Sequence, residues 1–424
     1  MRIQNLFSCL IVGLVLIGGI GCEYDDYPDP VWDPNDEGGA APVITSMDPA
    51  DVAYDGLTVV TINGENFSPT LTQNQVTFNG VVAEIDMDLS TAAQLVVTMP
   101  VVITDAALNA ISAVQVMVAV QGAYAGAVYA QDFSIERAVI EWGGFIGEKP
   151  EKLPNAIAVD ADENVYVAAG DKILYKLDTL GVRSEFGTGL SSVTNDLKIG
   201  PGGNAYFARN NPYVYRIDVA GGAADRWHRV GSKIACFDFN VDQNIYCGGK
   251  NDSLYFVDVT AETNRGVAFS DEYIYTSLRV YDGYVYVAGV YDGDDTAVTV
   301  TQAIWRHEIL AGDELGPREL VYDWADYEYS EEQNILSMIV NSDGLFYIGV
   351  SEGTGPAIIN INFGTQSVEP FYNAVLTSPA TSLTWGNSNY IYCVRTMVAS
   401  TDDLPTGAFR IAQSLTSALY YGRN

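Results

Sequence analysis

Residues 162–178 read DENVYVAAGDKILYKLD, residues 202–218 read GGNAYFARNNPYVYRID, and residues 242–258 read DQNIYCGGKNDSLYFVD. The three stretches keep no common charge pattern. Yet Tyr166, Tyr206, Tyr246 and Tyr286 follow one another at intervals of 40 residues, and Asp178, Asp218 and Asp258 repeat the interval. A fixed period of this length, with apolar strands and polar turns inside it, marks radial β-repeats that bury their faces only against their neighbours. The apolar and tyrosine positions recur because they make those contacts, while solvent-facing charges are free to drift.

The pattern continues more loosely. TSLRVYDGYVYVAG (276–289), LSMIVNSDGLFYIG (336–349) and TSLTWGNSNYIYCV (381–394) keep the first two strands, with Tyr347 and Tyr392 in the tyrosine slot. Six units result, and a six-bladed β-propeller over residues 138–424 is the natural closure. Two segments have fourth-strand character, AVIEWGGF (138–145) and SALYYGRN (417–424). The second follows its third strand as DRWHRVGS follows VYRIDV. It is therefore expected to complete the sixth blade, leaving AVIEWGGF as an added edge strand or a rigid joint.

Upstream, residues 42–137 form short alternating runs bounded by Gly, Asn and Pro, which is the pattern of half-buried antiparallel strands in a small β-sandwich. The fold class expected is therefore all-β, an immunoglobulin-like β-sandwich followed by a β-propeller. Ahead of it, residues 1–21 carry Arg2, an apolar run from Leu6 to Ile20 and small residues before Cys22, which reads as a signal peptide. Residues 22–41, rich in Asp, Pro and Gly, read as an acidic tether.

Some of these residues resemble known families. PVITSMDP (42–49), TVVTINGENFS (58–68), VTFNG and VVTMP resemble the IPT/TIG immunoglobulin-like domain, which implies a spacer or adhesion module; Gly64 is expected to supply positive φ at a tight turn and Phe67 to plug the sandwich edge. NAIAVDADENVYVA (155–168) resembles the NHL-type propeller repeat, although AAGDKI, ARNNPY and GGKNDS vary where that family usually carries Asp and Arg. The ending GIGC resembles a bacterial lipoprotein box, implying lipidation of Cys22, and the acidic run after it resembles the export tag of surface lipoproteins of the Bacteroidetes. Together these imply a lipid-anchored protein of the bacterial outer membrane or cell surface, with a periplasmic or secreted protein as the alternative.

The chain of 424 residues carries 21 Lys+Arg against 54 Asp+Glu, a net charge of -33. Such a surface repels phosphate backbones and anionic headgroups, so nucleic acid is excluded as a partner and the membrane is reached only through a lipid. Cys236, Cys247 and Cys393 form no metal or disulfide framework; Cys236 and Cys247 are expected as small buried hydrophobes, with a strained diagonal bridge as the alternative. The two histidines, His228 and His307, fall near the blade rim, and no catalytic or metal-binding set can be assembled around them. The acidic turn at Asp160 reads as turn chemistry rather than an ion site.

Function collects on loops, and three are longer than their counterparts: VYDGDDTAVTVTQ (290–302), DWADYEYSEEQN (323–334) and RTMVASTDDLPTG (395–407). Second-to-third and fourth-to-first strand loops emerge on one propeller face, so that face is expected to show Tyr291, Asp292, Asp294, Asp295, Trp324, Tyr327, Tyr329 and Arg395. Aromatics beside carboxylates suit a glycan or a protein partner. The Asp292–Asp295 loop also invites calcium, while no other cofactor is expected. The expectation is thus a non-enzymatic envelope lipoprotein that binds a glycan or protein. The alternative is a propeller enzyme of lactonase or lyase type with a metal in its central channel.

Overall fold

The computed structural model describes residues 38–104, 108–250, 253–267, 273–373, 375–376, 379–395, 406–413 and 415–423. The signal peptide, Cys22, most of the tether and residues 396–405 of the third long loop lie outside the described residues.

The sandwich has a seven-stranded sheet in the order Val43–Asp48, Val59–Glu65, Gln94–Thr98, Val81–Ile85, Asn74–Phe78, Val116–Val120, Ala127–Val128. A three-stranded sheet, Val52–Tyr54, Ser134–Glu136, Ala110–Ile111, packs against it. Their common core includes Val60, Ile62, Phe67, Phe78, Leu95, Val97 and Phe133. Phe67 lies in that core as expected, but Gly64 has a different reason to be glycine. It sits inside a strand, and a Cβ there would lie 2.1 Å from the Val43 carbonyl oxygen and 2.3 Å from the Phe67 ring. Close approach, not backbone handedness, requires it; the positive φ of this turn belongs to Asn66, at 63°.

The propeller has six blades. Blade 1 comprises Pro154–Val159, Val165–Ala169, Ile173–Leu177 and Arg183–Thr188, counted outward from the axis. Blades 2 and 3 share one long strand, Asp225–Phe239, whose first half is the outer strand of one and whose second half is the inner strand of the other. Blades 4 and 5 are four-stranded meanders beginning at Tyr273–Tyr281 and Ile335–Val340. Blade 6 is built from Ser382–Trp385, Tyr390–Arg395, Gly407–Ala412 and, from the other end of the chain, Val139–Glu141. Each inner strand neighbours the next, and that of blade 6 returns to that of blade 1.

The tyrosine slot explains the repeat. Tyr166, Tyr206, Tyr246, Tyr286, Tyr347 and Tyr392 are all buried in the second strands, and each belongs to a different one of the six hydrophobic clusters between blades. Hydroxyl partners such as Asp160 Oδ2 for Tyr166 and the Asp313 carbonyl for Tyr246 let the rings be buried without orphaning a polar tip.

Polar groups fasten the inner ring. An inner strand leaves amide groups facing its neighbour, which must find acceptors. Asn155 Oδ1 accepts from Thr194 N, Asp196 Oδ2 from Phe237 N, and Asp238 Oδ2 from Val280 N. Ser277 Oγ accepts from Met338 N, Ser337 Oγ from Leu383 N, and Ser382 Oγ from Ile157 N. Every seam of the ring thus carries one such bond. At the last seam the Glu163 carboxylate also accepts from Asn387 N, Ser388 N at 2.8 Å, Ser388 Oγ at 2.8 Å and Tyr392 Oη at 3.2 Å.

Closure corrects the reading of both terminal segments. Val139–Glu141 pairs antiparallel with Gly407–Ala412, the Ala412 amide donating to Ala138 O at 2.7 Å and the Trp142 amide to Ala408 O at 2.8 Å. The outer edge of that strand is therefore already filled. Residues 417–423 instead run beneath the propeller: the Ala418 amide donates to Val340 O, Ser417 Oγ donates to Gly386 O, and Gly422 lies against Ile199 and Phe239. Apolar and aromatic residues suit a plug under the channel as well as an outer strand, so composition did not separate the two.

Candidate functional site

The inner strands begin at the face opposite the plug, and there the channel widens into a basin of about 500 Å³. All six blades contribute to it. Pro154 and Asn155 come from blade 1, Thr194, Asn195 and Asn210 from blade 2, and Ala235 and Lys250 from blade 3. Tyr275 and Thr276, Leu336 and Thr381 complete it from blades 4, 5 and 6. Among the described residues the lining has no carboxylate and no imidazole, although the chain is strongly acidic.

The amide and hydroxyl groups divide into anchored and available ones. Asn155 is held between Thr194 N and the Ser192 carbonyl, and Thr381 Oγ1 donates to the Val394 carbonyl at 3.2 Å. Asn195 and Asn210 are exposed. The Thr194 hydroxyl, on a residue 2% exposed, has no partner among the described residues. A buried hydroxyl left without a partner costs roughly 1–3 kcal/mol, which a ligand or water can recover.

Seven of the eight residues expected from the sequence sit further out on the same face, over blade 4, whereas Arg395 belongs to blade 6. A second hollow of about 360 Å³ is lined by Tyr291 and Trp324 together with Gln302, Ser330, Glu331 and Asn334. Tyr291 is half-buried, its hydroxyl accepting from Asp295 N at 3.1 Å. Asp292, Asp294 and Asp295 are exposed, and Tyr329 is half-buried. Three of the expected residues are not displayed. Trp324 is buried, donating from Nε1 to the Gln333 carbonyl at 2.6 Å, and Tyr327 is buried, donating to Gln333 Oε1 at 2.9 Å. Both fold the long loop back onto the cluster between blades 4 and 5. Arg395, at the end of its strand, is fully buried. A long loop with aromatics needs its own small core, and these side chains supply it.

No group of three or more His, Cys, Asp and Glu side chains among the described residues could hold a metal ion, those of the Asp292–Asp295 loop included. Asp160 is occupied by its turn, accepting from Asp162 N, Asn164 N, Asn164 Nδ2 and Tyr166 Oη. Cys236 stands opposite Gly248 while Cys247 stands opposite Phe237, so the two side chains leave the hairpin on opposite faces and enter different inter-blade clusters. They are free buried thiols that cannot bridge. His307 is fully buried, with Nδ1 3.1 Å from the Gly316 carbonyl oxygen, and burial lowers its pKa; His228 lies at the rim beside Asn264.

The basin residues were missed because they lie at or just before the starts of the inner strands and just after the second strands, where the repeat varies. Asn210 and Lys250 occupy the same place in two units, within ARNN and GGKN. That variation between otherwise matching units was the available signal.

These features define a six-bladed β-propeller preceded by an immunoglobulin-like domain, and comparison with known proteins agrees. Residues 42–135 match the IPT/TIG domain model. The chain is similar in structure to a Bacteroides thetaiotaomicron protein named only as a candidate phosphatase, with a TM-score of 0.53 and 11% identity over 90% of this chain and 98% of that one. An auxiliary nutrient binding protein of Bacteroides ovatus gives a TM-score of 0.49 and 13% identity, covering 90% of this chain and 99% of that one. A gluconolactonase of Xanthomonas campestris gives 0.46 and 12%, covering 62% and 86%. At these identities the likeness concerns the fold. Among curated proteins, no sequence matches the chain.

Proposed function

We propose that this chain is a non-enzymatic lipoprotein of the bacterial outer membrane or cell surface whose propeller basin binds a neutral glycan. The observation that carries the reading is the donor set of the basin. Amides and hydroxyls line a concavity of about 500 Å³ without a described carboxylate, the exposed Lys250 ammonium being the one charge in the described lining, which suits a polyhydroxylated ligand. A lactonase-type reading needs carboxylate ligands for a metal at this mouth, and the described lining offers none. A flat protein partner would leave the concavity unfilled. The IPT/TIG domain then holds the propeller away from the membrane.

A saccharide array probed with the mature chain is expected to return neutral glycans. In calorimetry against the best of them, N195A and N210A should each weaken binding about tenfold, the loss of one hydrogen bond, with melting temperature unchanged. Unaltered affinity in both variants would move the site out of the basin.

The anchor is tested separately. Cys22→Ser is expected to abolish lipid labelling and shift the protein from the membrane to the soluble fraction. Unchanged membrane association would refute lipidation at this cysteine.

A further inference from the structure

The channel between basin and plug is polar and charged. Lys198 Nζ lies 2.6 Å from Asp196 Oδ1, and Arg279 Nη1 lies 3.1 Å from Asp238 Oδ2. These two pairs cancel. The plug adds Arg423, whose guanidinium lies 4.8 Å from the centre of the Tyr420 ring, while that of Arg279 lies 5.1 Å from the same centre. Arg423 has no ion pair among the described residues. The nearby carboxylates are committed elsewhere: Asp196 to Lys198 and Phe237 N, Glu163 to the blade 6 turn, and Asp160 to its own turn.

The unmet hydrogen bonds have a consistent sign. Arg279 Nε, Arg423 Nε, Arg423 Nη1 and the Tyr420 hydroxyl are buried without partners, against one acceptor, Asp238 Oδ1. Asp238, Arg279 and Tyr420 are each more than nine-tenths buried. Three of these unmet groups can only donate and the Tyr420 hydroxyl can donate too, so a ligand that only accepts matches them more closely than water does. Each such buried group left unmet costs roughly 1–3 kcal/mol, more where it is charged. Burial and the like charge of Arg279 lower the Arg423 pKa only to about 10, so the side chain stays charged at neutral pH.

We propose that the plugged end of the channel holds one small monovalent inorganic anion, of the size and chemistry of a halide, accepting from Arg423, from Arg279 Nε and from the Tyr420 hydroxyl. The anion meets these donors and fastens the C-terminal segment beneath the ring. The inference is independent of what the basin binds. Crystals of the mature chain soaked in sodium bromide are expected to show an anomalous peak between Arg279, Arg423 and Tyr420, and ordered water alone at that place would overturn the proposal. In solution, replacing sodium gluconate by sodium chloride at equal sodium concentration should raise the melting temperature by about 3 °C or more. R423M should lose that difference. An equal response to chloride in the variant and the intact chain would mean that the salt acts elsewhere, and the bromide experiment decides the matter even if R423M does not fold.

Discussion

A chain that begins at Gly143 is expected to melt roughly 10–20 °C below one that begins at Ala138, although the two differ by five residues. Those five residues are the outer strand of blade 6 and the tryptophan that follows it. Val139 and Trp142 are both buried, and the Trp142 ring lies 4.1 Å from the Arg410 guanidinium and 6.4 Å from the Tyr392 ring. Losing their burial costs roughly 4–5 kcal/mol, and the ladder bonds to Ala408 and Ala412 add about 1 kcal/mol each. The exposed edge of Gly407–Ala412 would also invite pairing between molecules, so aggregation should accompany the loss. Removing Ser417–Asn424 should cost stability through Ala418 and Tyr420 but leave blade 6 four-stranded. Circular dichroism melts of the three chains check this, and equal melting of the first two would show that the ring closes otherwise.

Asp238→Ala is expected to destabilise the propeller by roughly 3–5 kcal/mol, because it leaves Arg279 buried without its counter-charge. The pair is nearly solvent-free, at 1% and 9% side-chain exposure, and the same carboxylate accepts from Val280 N at the seam between blades 3 and 4. Burial raises the Asp238 pKa, while Arg279 and Lys198 act in the opposite direction. The double variant D238A/R279M should recover most of the loss, since an apolar replacement of a buried pair is often near neutral. Chemical denaturation of the single and double variants measures this; a D238A protein as stable as the parent would show that the pair does not matter to the ring.

The repeat made the architecture legible. Tyrosines at a constant interval identified the second strands, and six tyrosine slots became six inter-blade clusters because each blade repeats one packing problem. INGENF likewise identified the sandwich, although its glycine serves close packing rather than a left-handed turn. The site was less legible for a physical reason. Trp324 and Tyr327 look like ligand platforms in the sequence, but an aromatic in a long loop is equally able to pin that loop down, and Gln333 completes their hydrogen bonds. Arg395 and the channel charges were similarly hidden, because a charge buried at a blade seam or along the axis has no distinguishing periodicity. Asn195 and Asn210 escaped notice because they flank the first hairpin of a single blade, at positions where the repeat keeps no residue type, and only ring closure sets that hairpin's mouth against those of the other five blades.

The most direct test of the central claim is a crystal structure of the mature chain with the neutral saccharide that binds it most tightly. The account predicts sugar density in the basin, within hydrogen-bond reach of Asn195 and Asn210. Density confined to the hollow beside Tyr291 and Glu331, or to the sandwich, with the basin holding only water, would contradict it.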